Sequence, residues 1–71
     1  YNSMWMKNTY IPLDIIFLDN MNVVGYIMDA IPLSEEPLQI NKISDNVLEM
    51  NAGSVINHNI KIGDTINFIE I

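Results

Sequence analysis

The run Asp14-Ile15-Ile16-Phe17-Leu18 constrains the fold more than any other part of this chain. β-Branched and aromatic residues favour extended backbone. In a strand, Ile15 and Phe17 share one face while Asp14, Ile16 and Leu18 share the other, so apolar side chains project both ways and both faces need cover. A strand of this kind belongs inside a layered domain. It runs directly into the polar cluster Asp19-Asn20-Met21-Asn22, a turn signal, which makes Val23 to Ile31 its expected antiparallel partner.

Breakers cut the rest into strand-sized pieces. Ser3-Met4-Trp5-Met6 reads as a short buried strand, and Asn8, Thr9 and Pro12 as a bend, because Pro holds its predecessor extended and Asn tolerates left-handed backbone. Pro32 to Asn41, with Glu35 and Glu36, suits an exposed connection. Asp45 to Met50 returns to strand character, with Leu48 and Met50 on one face and Val47 and Glu49 on the other. One short helix is expected near residues 52–58, with Asn51 as N-cap and Asn59 in the left-handed position after its end. Gly63-Asp64 then turns the chain into a last strand, Thr65 to Ile71. The resulting class is α+β, mainly antiparallel β, with four or five strands forming a small barrel-like sheet. No βαβ alternation is visible, which argues against a doubly wound nucleotide fold.

With 71 residues, positions 1–71 form a single domain, and a domain of this size buries only about 60% of its unfolded surface. Stability reserves are therefore small. The absence of Cys removes disulfides, thiol catalysis and iron–sulfur ligation. A formal net charge of −6, with Lys7, Lys42 and Lys61 as the cations, cannot neutralise a run of phosphates. Nucleic acid is excluded as a partner, and no apolar run is long enough for a membrane span. No signal peptide is visible, and Tyr1 stands where a native start would have Met, giving the expectation of an upstream segment.

Candidate chemistry is sparse. His58 is the sole imidazole, and nothing in the sequence places a nucleophile or carboxylate beside it. Asp14, Asp19, Asp29 and Glu49 lie in or beside predicted strands, where acids are disfavoured and each asks for a reason. No calcium-loop pattern, phosphate loop, dinucleotide motif or nucleophile elbow occurs, so no catalytic residues, metal ligands or cofactors are assigned. Lys7-Asn8-Thr9 is the best polar cluster. A bend at Pro12 could bring it to Asp14, where the group either grips a small polar ligand or forms a buried network in which Asp14 accepts backbone N–H groups and pairs with Lys7. Trp5, flanked by Met4 and Met6, either lines a pocket beside that cluster or packs into the core.

Read as one block, Met4-Trp5-Met6-Lys7-Asn8-Thr9-Tyr10-Ile11-Pro12-Leu13-Asp14 through Asp19 resembles the signature of DUF192, a prokaryotic family of unknown function. Val47-Leu48-Glu49-Met50-Asn51-Ala52-Gly53 and Ile60-Lys61-Ile62-Gly63-Asp64 resemble two later stretches of the same family. Asn59 departs from it, standing where the family usually has Gly. The resemblance implies a compact β-rich domain, here an N-terminally truncated one, and a periplasmic or secreted location, with a cytoplasmic one still open. It also raises Lys7, Asn8, Thr9, Pro12 and Asp14 above the other polar residues, as the mark either of a ligand site, with Trp5, Lys7, Asn8, Thr9 and Asp14 as the candidate ligand-binding group, or of a demanding bend. The leading expectation is a non-enzymatic small-ligand-binding or accessory module of the bacterial envelope. Two alternatives stand beside it: a hydrolase or metal-assisted enzyme using Lys7, Asn8, Thr9 and Asp14, and a self-associating domain pairing as a homo-oligomer through exposed strand edges.

Overall fold

The structure, a computed structural model, describes residues 2–69. Three strands, β1 (Leu13–Asp19), β2 (Asn22–Ala30) and β3 (Asn46–Asn51), precede one short helix, α1 (Ser54–Asn57). The sheet is antiparallel in the order β2-β1-β3. The strand with apolar residues on both faces is thus the central one, and Asp14 to Leu18 are all buried. Asn20 and Met21 close the β1–β2 hairpin with φ of 50° and 67°. Paired positive φ values mark a type I′ turn, whose twist matches that of the flanking strands.

Each face of β1 has its own core. Ile15 and Phe17 pack with Met6 and Ala30, while Ile16 and Leu18 pack with Val23 and Val55. Leu48 and Met50 of β3 join the second cluster and Val47 the first, as the period-2 reading expects. β2 breaks that period. Register shifts against β1 fall between Phe17 and Leu18 and between Leu13 and Ile15, so residues three apart on β2 share a face: Val23 with Tyr26, and Ile27 with Ala30.

Four expectations are corrected. The sheet does not close into a barrel, because its three strands leave β2 and β3 as edges and the flanking segments add only single bridges, Met4 with Leu38 and Asn22 with Thr65. The last strand is reduced to that Thr65 bridge among the described residues, with positions 70–71 lying outside them. The first segment is not buried throughout, since Met6 is fully buried whereas Trp5 is 51% exposed. Finally, Asn51 ends β3, and α1 starts later, capped by Gly53 at φ 96°, a left-handed backbone that cannot belong to the helix itself. The helix end follows expectation: Asn59 is left-handed at φ 52°, its N–H reaches Ile56 O, and Ile60 N–H reaches Val55 O, the Schellman pattern.

Candidate functional site

Asp14 is 1% exposed and points to the Ile16–Leu18 side of the sheet. Opposite it, β2 carries two residues against one, and Asp29 in this bulge adopts φ 56°. Asp14 Oδ1 accepts the Asp29 N–H at 2.9 Å and Oδ2 accepts the Val55 N–H at 2.9 Å. Both donors are groups that regular structure leaves over, one from a bulge and one from the first turn of a helix. A buried carboxylate meets two backbone amides, that of Val55 buried and that of Asp29 part-buried, through charge-assisted bonds.

The polar segment before it sits elsewhere. Met4 and Leu38 exchange backbone bonds of 2.8 and 2.6 Å, and Met6 N–H donates to Ser34 O at 3.0 Å, which holds Met4 and Met6 inward. Alternation then turns Trp5 and Lys7 outward. Lys7 Nζ lies 5.1 Å from the centroid of the Trp5 ring, within cation–π reach. Asn8, at φ 64°, occupies the third position of a turn closed by Thr9 N–H on Met6 O, where a type II turn requires positive φ. Thr9 O in turn accepts the Leu33 N–H at 2.9 Å. A small cleft of about 170 Å³ lies beside Trp5, walled by Ser3, Met4 and Pro37.

Trp5 and Lys7 are therefore brought together, with Asn8 and Thr9 shaping their turn, while Asp14 is committed to the opposite side of β1. Asp14 has backbone amides as its partners, and Lys7 has an aromatic ring.

The family model for DUF192, described as "Uncharacterized ACR", matches residues 1–68. The chain belongs to the DUF192 family. Two crystal structures resemble this DUF192 domain. A protein of unknown function from Novosphingobium aromaticivorans DSM 12444 shares 38% identity at a TM-score of 0.88, over 94% of this chain and 49% of its own. A Sinorhizobium meliloti 1021 protein described as a "putative transcription regulator" shares 37% identity at a TM-score of 0.86, over 90% of this chain and 50% of its own. The chain thus spans about half the length of both. Curated proteins provide no match.

Asp14 and Asp29 together line a cleft of about 450 Å³ with Met28, Ala52, Gly53 and Ile56, and Lys7, Asn8 and Thr9 do not border it. His58 borders a separate cleft of about 450 Å³ with Asp64, whose carboxylate already accepts the Lys61 N–H at 2.8 Å. Among the described residues no group of three His, Cys, Asp or Glu side chains is placed to hold a metal ion, and no helix is long and apolar enough to cross a membrane. The sequence reading in which Asp14 accepts backbone N–H groups holds, while the identity of the donors, Asp29 and Val55, was not legible. The local signal was an Asp near the end of each of two apolar strands, Asp14 second in β1 and Asp29 next to last in β2.

Proposed function

We propose that this DUF192 domain is a non-enzymatic module that binds a small polar ligand at the Trp5–Lys7 surface, in the bacterial envelope as the family resemblance implies. The carrying observation is the commitment of Asp14: both carboxylate oxygens serve backbone amides inside the fold. That leaves the signature without a free acid or base beside Lys7. What it presents outward is an aromatic face and an ammonium, groups suited to holding a planar or anionic ligand. A regulator role of the kind in the Sinorhizobium protein's description finds no support in a net charge of −6.

Trp5 is the sole Trp and half exposed, so its emission reports on this surface directly. Titration with a panel of small anions and sugars is expected to shift that emission for at least one class, with the shift lost in Lys7→Ala. Turnover of an ester, phosphate or glycoside that Asp14→Asn abolishes in a folded protein would overturn the proposal.

A second reading, self-association, is favoured by one apolar patch. The Thr9–Leu33 backbone bond brings two segments side by side, and both present large apolar residues to solvent, Tyr10 at 78% and Ile31 at 72% exposure. Exposed apolar residues of this size on neighbouring segments suit contact with a second copy.

A further inference from the structure

The outer edge of β2 carries a further cleft, separate from the Trp5–Lys7 surface. It measures about 350 Å³, with Val24 and Tyr26 of the strand facing Ile40, Asn41 and Lys42 on one side and Ile62 on the other. β1 is the only strand paired with β2 in the sheet, so this stretch of β2 is an edge among the described residues.

Both walls are fixed by identifiable bonds and packing. Gly63 N–H donates to Val23 O and Val23 N–H to Asp64 O, each at 2.8 Å, which ties the turn bearing Ile62 to the strand. On the opposite side Gly25 lets Ile40 lie directly on the strand backbone: a Cβ at Gly25 would stand 2.7 Å from Ile40 Cδ1. Both flanks of the cleft are thus held against β2.

Its chemistry is uneven in a useful way. Val24, Ile40 and Ile62 contribute apolar lining, and the lining residues that carry polar side-chain groups are Tyr26, Asn41 and Lys42. Lys42 is the only charged residue in the lining, and it is a cation in a chain of net charge −6. A ligand cation would meet like charge at Lys42, and a neutral apolar molecule would leave its donors unused. An apolar body ending in a carboxylate answers both halves of the lining. The volume lies at the lower end of the range of about 300–1,000 Å³ for ligand pockets, which suits a small molecule.

We propose that this cleft binds a small apolar carboxylate, its hydrocarbon against Val24, Ile40 and Ile62 and its head group on Lys42, with Asn41 or Tyr26 donating a further hydrogen bond. The test follows backbone amide shifts of the full chain during separate titrations with octanoate, octanol and octylamine, all in monomeric form. Octanoate is expected to perturb Gly25, Ile40 to Lys42 and Ile62 and to bind about tenfold more tightly than octanol, the gain of one charge-assisted contact, with octylamine weakest. Lys42→Gln is expected to reduce octanoate to the octanol level, and Ile62→Trp to fill the cleft and remove both. No octanoate binding, affinity equal to octanol's, perturbations centred on other residues, or unchanged binding in Lys42→Gln would each overturn the proposal. The three-ligand comparison uses the unmodified chain, so it stands whatever happens to a variant's folding.

Discussion

Asp14 Oδ2 accepts the N–H of Val55, 41 positions later in the chain, at 2.9 Å. This bond ties the start of the central strand to the first turn of α1, and the other carboxylate oxygen ties it to the β2 bulge at Asp29. Removing the carboxylate leaves the buried Val55 N–H and the part-buried Asp29 N–H without their acceptor. Asp14→Ala is expected to cost about 2–3 kcal/mol, given about 1–3 kcal/mol for an unsatisfied buried group and less for one that water can reach. Asp14→Asn keeps one acceptor but turns an NH2 toward the other amide, so it is expected to lose about 1.5–3 kcal/mol. Urea unfolding followed by circular dichroism checks both values, and a loss below about 0.5 kcal/mol in either variant, the range of ordinary surface substitutions, would contradict the assignment.

Leu33 is exposed and holds φ at 64°, a backbone that costs an L-residue with a bulky side chain roughly 1–2 kcal/mol. Asn accepts that region more readily. Leu33→Asn is therefore expected to raise stability by about 0.5–1 kcal/mol, whereas Asn8→Ala, at the same φ of 64°, is expected to lower it by a similar amount. Opposite signs in thermal or urea unfolding are the readout, and matching signs would refute the backbone argument.

Gly25 touches Ile40 so closely that any side chain forces a shift. Overpacking of this kind costs about 1–3 kcal/mol, the expected loss for Gly25→Ala. Shortening the neighbour should relieve part of it: Ile40→Val combined with Gly25→Ala is expected to be less destabilised than the two separate losses added together. Strict additivity in that double-mutant cycle would show that the two residues do not clash.

Self-association has a simple check at the Tyr10–Ile31 patch. Sedimentation of the wild-type chain is expected to show concentration-dependent dimerisation, and Ile31→Lys is expected to abolish it by burying a charge in the contact. A monomer at all concentrations would remove that reading.

The central strand and its hairpin were legible because their signals are local: Ile15 to Leu18 need cover on both faces, and Asn20-Met21 sits between two apolar runs. Closure of the sheet was not. Ile66, Phe68 and Ile69 have the composition of a strand, yet pairing depends on a neighbour, and among the described residues it stops at the Asn22–Thr65 bridge and the Ile66 N–H on Met21 O. The helix boundary moved because Gly53 takes a left-handed backbone, a tertiary choice that Ala52-Gly53 does not announce. At the site, the alternation that exposes Trp5 and Lys7 while burying Met4 and Met6 follows from spacing alone. The partners of Asp14 do not, since they lie 15 and 41 positions away and are backbone groups, which carry no residue-specific signature.

In the proposed reading the signature comprises a structural acid and a binding surface, and one comparison tests that division most directly. Trp5 emission is followed during titration with whichever small polar ligand shifts it, in wild type, Lys7→Ala and Asp14→Asn, each at a temperature where circular dichroism shows the protein folded. The predicted result is that Lys7→Ala keeps wild-type stability and loses the response, while Asp14→Asn is less stable but binds with wild-type affinity. A folded Asp14→Asn protein that no longer binds, or a Lys7→Ala protein that binds unchanged, would contradict it.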